Sequence, residues 1–289
     1  NSALYRLRLM ATYASGELDN GWSYAFNVSA RIGGNDWVKG VYYRNFAYYA
    51  GVEKKFGDMH KLSLVTFAAP GQRGAQNAST QEVYNLMGDN MYNSNWGYQN
   101  GKVRNARVRK TFEPVTILKY TVKPSDDLEA SATVLWRTGK NGYTALDWYD
   151  AADPRPDYYR YLPSNYLSQI TPEIPGIFDA TTDTQIENYV SGAINAIQIW
   201  NGYIDFDRMF NLNRREDPNT SEYASGFRSN YMIEERRTDQ LDYNFVANIS
   251  HEFNANHRII GGLKARVNRT EYYSTVKDLL GGDYWLDID

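Results

Sequence analysis

The residues best suited to binding chemistry crowd into one stretch. Asp147, Asp150, Asp153 and Asp157 are interspersed with Trp148, Tyr149, Tyr158, Tyr159, Tyr161 and Tyr166. Aromatic faces stack on sugar rings and carboxylates accept hydrogen bonds from hydroxyls, so the pattern suits a glycan. Asp147, Trp148, Tyr149, Asp153, Asp157, Tyr158, Tyr159 and Tyr161 are the candidate ligand contacts. Rings of this kind also pack long loops together without any ligand. The aspartates offer oxygen to a hard cation such as calcium, but they lack the spacing of a calcium loop, and Pro154 and Pro156 interrupt them. No metal and no cofactor is expected.

Catalysis finds less support. His60, His251 and His257 stand apart, without the His-Glu-x-x-His spacing of a zinc hydrolase. No Gly-x-Ser-x-Gly elbow and no glycine-rich phosphate loop occurs. Asp205 and Asp207 are two apart, and on a helix they would diverge. The chain has no Cys, which excludes thiol catalysis and a disulfide scaffold. A formal net charge of −3 leaves no electrostatic footprint for nucleic acid. An enzyme is not expected.

Strands must position the aromatic stretch. Trp22, Tyr24, Phe26, Val28, Ala30 and Ile32 alternate with Ser23, Ala25, Asn27, Ser29 and Arg31. A helix would scatter that pattern, whereas a strand puts each set on its own face. Similar alternation recurs in about eight segments, near residues 6–13, 45–53, 62–67, 115–123, 128–137, 241–250 and 259–268 besides this one. In the segment at 115–123, Val115 and Ile117 blur the assignment. About ten residues is the length of a tilted strand that crosses a bilayer. A soluble sandwich with one wet face would show the same alternation.

Connection lengths separate the two. Asp19-Asn20-Gly21, Gly57-Asp58-Met59-His60, Pro124-Ser125-Asp126-Asp127 and Asn254-Ala255-Asn256-His257 are short polar turns, and Asn20-Gly21 is a strong hairpin signal. Between them lie connections over 71–103 and 140–226, and a shorter one near 33–38. Short turns at one end and long loops at the other describe a transmembrane antiparallel up-and-down β-barrel. The expected architecture is therefore all-β, with long extracellular loops at 71–103 and 140–226 that contain short helices. Val83, Leu86 and Met87 share one helical face, as do Ile186, Tyr189, Val190, Ala193, Ile194, Ile197 and Trp200. Thr184 and Glu187 fit a capping box at the start of the second helix. That helix either folds over the barrel mouth or docks a partner. With 25 Tyr, 11 Phe and 7 Trp, the chain has the aromatic supply for membrane girdles. Its mean hydropathy of −0.62 and lack of a long apolar run disfavour helical spans.

Longer stretches carry a resemblance. Thr12-Tyr13-Ala14-Ser15-Gly16 followed by Asn20-Gly21-Trp22, Glu53-Lys54-Lys55-Phe56, and Ala69-Pro70-Gly71-Gln72-Arg73-Gly74 are three such stretches. The fullest runs from Tyr92-Asn93-Ser94-Asn95-Trp96-Gly97-Tyr98-Gln99-Asn100-Gly101-Lys102 into Arg104-Asn105-Ala106-Arg107-Val108. Ala152-Asp153-Pro154-Arg155-Pro156-Asp157-Tyr158-Tyr159-Arg160-Tyr161-Leu162-Pro163 and Ile204-Asp205-Phe206-Asp207-Arg208-Met209-Phe210 complete the set. Over most of 1–270 the chain resembles TonB-dependent outer-membrane receptors of the Bacteroidota type.

The resemblance implies the cell outer membrane, a barrel of about 22 strands, an N-terminal plug and a TonB box. Residues 1–289 hold neither plug nor box and about a third of those strands, so a segment of a longer parent is expected. Its implied partners are outer-membrane lipid, the TonB complex through a plug absent from this chain, and a surface lipoprotein over the loops; nucleic acid is not among them. Three functions fit: uptake of a specific glycan, metal chelate or peptide; a scaffold of the same fold holding surface partners; or a passive porin. Arg6, Arg8, Arg31, Arg107, Arg109, Lys119, Arg137, Lys264 and Arg266 are expected on the polar, lumenal face.

Overall fold

The computed structural model describes residues 7–34, 37–168, 183–215 and 226–287. The chain begins with β1 (Leu7–Glu17), β2 (Trp22–Gly33), β3 (Tyr42–Phe56), β4 (His60–Ala68) and β5 (Gly71–Gly74), then α1 (Gln81–Met87). β6 (Trp96–Gln99), β7 (Lys102–Asn105), β8 (Val108–Phe112), β9 (Val115–Ser125) and β10 (Leu128–Trp148) follow. After them come α2 (Pro163–Leu167), α3 (Asp183–Ile199), β11 (Ile204–Asp205) and α4 (Phe206–Asn213). β12 (Arg228–Ser229), β13 (Tyr231–Asn254), β14 (His257–Asp278) and β15 (Tyr284–Trp285) close the chain.

The protein is all-β in character, dominated by one antiparallel sheet in the order β1-β2-β3-β4-β9-β10-β13-β14. β5 extends β4, and β8 leads into β9. Phe67 pairs with Val115 and Gly71 with Thr111, so one register runs through both halves. The break between them falls at Pro70 and Pro114, which have no N–H for the ladder. Their carbonyls still accept, from Phe46 N at 3.0 Å and Thr138 N at 3.2 Å. Eight long strands therefore follow one another in chain order, as the eight alternating segments require.

Directly paired residues share a face. Tyr24 pairs with Val52, Val52 with Leu64, Leu64 with Leu118, Leu118 with Val134 and Val134 with Phe245. The same face carries Trp22, Phe26, Val28, Leu128, Ala130, Leu241 and Ile249, and it is largely exposed: Val28 is 46% accessible and Ile249 51%. On the opposite face Arg8, Arg31, Arg109, Lys119, Arg137, Lys264 and Arg266 all occupy register positions. Arg107 lies in the bend before β8, and Arg6 falls outside the described residues. Val115 and Ile117 also belong to the polar face, opposite Phe67 and Val65, which explains the blurred alternation there.

The strands outrun their expected ends. β10 continues to Trp148 and β13 begins at Tyr231, so the large connection spans 149–230 instead of 140–226. Likewise β5 and β8 shorten the other from 71–103 to 75–107. β10, β13 and β14 have 21, 24 and 22 residues, about twice what a bilayer needs. At the short-turn end, Gly21 takes φ +74° while Asn20 does not adopt a positive φ; its side chain accepts the Trp22 N–H instead.

The buried core sits at the long-loop end. Phe206 and Met209 of α4 pack with Ile204, Ala106, Tyr231, Ile233 and Leu280, flanked by Leu146 and Trp148. Asn213, fully buried, closes this layer. Its amide donates to the carbonyls of Tyr231, Leu279 and Leu280 at 2.7, 2.9 and 3.1 Å, and its oxygen accepts from the N–H groups of Asn230 and Tyr231. Asn213→Ala would strand those groups and should cost roughly 3 kcal/mol of local stability. Hydrogen exchange should accelerate at 230–231 and 279–280 while the β1–β4 ladder keeps its protection; unchanged exchange at those residues would refute this role.

Candidate functional site

The aromatic–acidic stretch closes on itself around Arg155. The Arg155 guanidinium stacks over Trp148 at 5.2 Å and over Tyr158 at 5.7 Å. Asp153 grips it from the side through Nε and Nη2, with Nε contacts of 2.9 and 3.1 Å. That bidentate pair holds the guanidinium above its ordinary pKa. Tyr158 meets Tyr159 and Tyr161 edge-on at 4.9 and 5.3 Å, and the Tyr161 hydroxyl donates to the Asp153 carbonyl at 2.8 Å. Burial, with Asp153 nearby, pushes the Tyr161 phenol up. Asp157 accepts from Ser79 Oγ at 3.0 Å, tying the two long loops together.

Five of the candidate contacts thus form one unit: Trp148, Asp153, Tyr158, Tyr159 and Tyr161. Asp157 is spent on Ser79, and Asp147, on the other face of β10 from Trp148, accepts the Trp148 N–H at 2.9 Å. Tyr149 and Tyr159, 45% and 57% accessible, are the most open rings of this stretch. Asp150 pairs with Arg228 at 3.3 Å. The divergent pair Asp205 and Asp207 is structural as well. Asp205 caps α4 by accepting the Arg208 N–H at 2.8 Å, and Asp207 accepts the Asn100 N–H at 2.9 Å.

A second aromatic group lies beyond it, one that spacing did not reveal. Trp96 stacks on Tyr203 at 5.7 Å, and Tyr98 meets both rings edge-on at 5.4 Å. Lys39 Nζ lies 4.4 Å from the Trp96 ring and donates to the Tyr98 hydroxyl at 2.7 Å. With Asp89, Asn93 and Asn201 these side chains line a cavity of about 260 Å³. Three clustered rings, a cation and a carboxylate can hold a polyhydroxylated ring or an aromatic ligand. Tyr92 also borders the cavity, and burial with Asp157 nearby drives its phenol well above the usual tyrosine range.

Asparagines hold that wall in place. Asn93 Nδ2 donates to the carbonyls of Lys39 and Ala75, and Asn105 Nδ2 to those of Gly40 and Ala75. Two separate connections, and the start of the second with its later part, are joined by two buried side chains. Gly40, at φ +80°, leaves room for Trp96, whose Cβ would stand 2.2 Å from any Cβ placed there.

The helices behave in part as expected. α1 starts at the cap Thr80, and its Val83 is fully buried against Tyr92 and Leu162. α3 begins at Asp183, which places Thr184 inside the first turn and not at the cap. Its predicted apolar face divides. Ala193 and Ala196 are buried, Gly192 abuts the Tyr166 ring, and Trp200 beyond the helix donates to the Pro156 carbonyl at 2.7 Å. Ile186, Val190, Ile194 and Ile197 lie on the exposed side, 37–54% accessible.

Comparison with protein-family models and with curated proteins gives no match. Among solved structures, the closed form of the ferric-catecholate import receptor Fiu from K12 E. coli is similar, at 9% identity and a TM-score of 0.46. The likeness covers 96% of this chain and 34% of that one, so this chain spans about a third of that receptor's length.

The cavity depends on β6 pairing in parallel with β11, where Gly97 sits opposite Ile204. A Cβ on Gly97 would lie 1.7 Å from the Ile204 carbonyl oxygen, so Gly97→Ala must part the two strands. The expected result is earlier protease cleavage in 96–105 and 201–205, with the eight-stranded sheet unaffected. Cleavage like that of the unaltered protein would show that the pairing is dispensable.

Proposed function

We propose that this chain is part of the wall and receptor surface of an outer-membrane β-barrel that takes up a specific ligand. The observation that carries the reading is the continuous apolar face across eight antiparallel strands, exposed on one side and polar on the other. A soluble protein would cover such a face, whereas lipid requires it. Structured loops gathered at one end supply the receptor surface, and the polar wall supplies the conduit. Asp242, for example, lies between Arg266 at 2.8 Å and Arg137 at 3.6 Å. The resemblance to TonB-dependent receptors supports energised uptake through a plug in the parent protein. The ligand class is a glycan, metal chelate or peptide, contacted by Tyr149, Tyr159 and the Trp96–Tyr98–Tyr203 cavity.

One observation favours a second reading, the scaffold. The exposed Ile186–Val190–Ile194–Ile197 stripe of α3 is the kind of surface on which a partner packs. A surface lipoprotein over the loops would serve either reading.

The two faces give the first test. Val28→Arg or Ala132→Arg should cost roughly 2–4 kcal/mol in folding titrations of the whole barrel in bilayers, while Ser29→Arg should be tolerated. Equal penalties on both faces would contradict the membrane reading. The second test concerns the receptor surface. Replacing 150–162 by a Gly-Ser linker removes the Arg155 unit but keeps the Trp148–Tyr231 pairing. The barrel should insert normally and lose capture in pull-down and growth screens across glycans, metal chelates and peptides. Normal insertion with every interaction retained would place recognition elsewhere.

A further inference from the structure

The rim of the apolar face carries a charge pattern that ligand uptake does not use. Ile32 pairs with Arg44, Arg44 with Gln72, Gln72 with Lys110, and Lys110 with Gly142. All of them lie on the apolar face, one row beyond Ala30, Phe46 and Phe112, towards the long loops. In the adjoining row Lys140 pairs with Phe112, which makes it the diagonal neighbour of Lys110. Arg44 and Lys110 flank Gln72 across two strand spacings, about 10 Å.

Arg44 and Lys110 face no carboxylate in their row, and Asp239, which stands opposite Lys140, is taken up by Arg237. On the adjoining strand β13, Arg237 pairs with Asp239 at 2.9 Å and Glu235 with Lys277 at 2.9 Å, so the charges there are neutralised. Arg44, Lys110 and Lys140 make no ion pair among the described residues, and each is exposed. Between them runs a cleft of about 620 Å³, lined by the apolar residues Ala30, Ile32, Phe46, Pro70 and Phe112 and also by Gln72, Asn45, Thr111 and Arg237. Just above, a second cleft of about 530 Å³ shares Arg44 and Lys110 and is walled by the loop residues Val103 and Arg104. Lipid-facing strands below, loops above and unpaired cations between form a shelf at headgroup height.

We propose that this shelf binds the phosphate of a membrane lipid in the leaflet on the long-loop side. The lipid's acyl chains would lie along Ile32, Phe46 and Phe112. Arg44 presents a planar fork to the phosphate oxygens, and Lys110 and Lys140 add compact charge. The apolar half of the cleft selects a lipid over a free anion, which would gain nothing from Phe46 and Phe112. At Gly142 the row ends, because the Glu235 side chain packs over that glycine with its carboxylate held by Lys277 at 2.9 Å. The inference rests on the membrane reading above.

The test uses the full-length parent protein in bilayer nanodiscs doped with bisphosphorylated lipid A or with the same lipid enzymatically dephosphorylated. Bound lipid is counted by native mass spectrometry, and insertion is followed separately by heat-modifiable gel mobility. The unaltered protein should retain the phosphorylated form about tenfold or more over the dephosphorylated one, given the worth of a few basic residues at a membrane surface. A variant combining Arg44→Gln, Lys110→Gln and Lys140→Gln should insert normally and lose that preference. One combining Lys119→Gln and Lys264→Gln, on the polar face, should keep it. Equal retention of the two lipids, a preference that survives in the triple variant, or displacement by an equal concentration of inorganic phosphate would each overturn the site. Failure of the unaltered parent to insert would instead overturn the membrane reading, and the site with it.

Discussion

One constraint governs this protein: in an antiparallel ladder, directly paired residues share a face and consecutive residues do not. A register fixed between two strands is thereby imposed on the next. From Tyr24 through Val52, Leu64, Leu118 and Val134 to Phe245, apolar meets apolar across six strands without one slip. A one-residue shift anywhere would carry a whole strand's charges to the apolar side. The ladder also satisfies the backbone. N–H and C=O groups facing lipid find no water, so strands that cross must bond to each other. Even the prolines respect this. Pro70 and Pro114 remove two donors where β4 meets β5 and β8 meets β9, yet the register persists and their carbonyls remain bonded.

Because the sheet buries little on its own, order at the long-loop end has to come from elsewhere. Two devices supply it. A compact apolar cluster around Phe206 and Ile233 packs α4 onto the extended ends of β10 and β13. Buried asparagines then bridge backbone groups that no ladder reaches, Asn213 with five hydrogen bonds and Asn93 and Asn105 with two donations each. An amide carries both donor and acceptor without charge, which makes it a suitable substitute for a missing neighbouring strand. Rigid loops of this kind hold the Trp96–Tyr98–Tyr203 rings in fixed geometry, and a surface so arranged loses little entropy when it binds.

Much of the fold was legible because a sheet with one apolar and one polar face enforces period two. Alternation at Trp22–Ile32, Leu128–Trp136 and Leu241–Ile249 gave strands, faces and order together. Strand ends were not legible, since beyond the apolar rim the pattern turns polar on both sides, as at Lys140–Asp147 and Glu234–Gln240, and reads like loop. Helix α3 was found from its spacing, but seven apolar positions could not show which would be buried. Ala193 and Ala196 face inward on the side where Gly192 lies against the Tyr166 ring, and the bulkier Ile186, Val190 and Ile194 are left outside. For the candidate site, composition located the Trp148–Tyr161 stretch and missed its keystone, Arg155. The second aromatic group escaped altogether. Tyr203 lies far from Trp96 in sequence, and only the parallel pairing of β6 with β11 unites them.

The levels of the structure fit one another. Where the apolar face ends, at Ile32, Phe46 and Phe112, the ladder is interrupted at Pro70, charges begin at Arg44, Lys110 and Lys140, and the loop layer starts to cover the strands. These changes have separate physical origins, yet they share one height. A strand leaving a hydrocarbon layer regains water, so its side chains can carry charge and its backbone can tolerate a broken ladder. The same transition lets the loops fold back, because polar backbone needs either water or the asparagine bridges found there. A soluble sandwich has no plane at which all of this must happen together. The coincidence of rim, proline, charge and loop at one level is what a bilayer boundary would impose, and it supports the membrane reading proposed above.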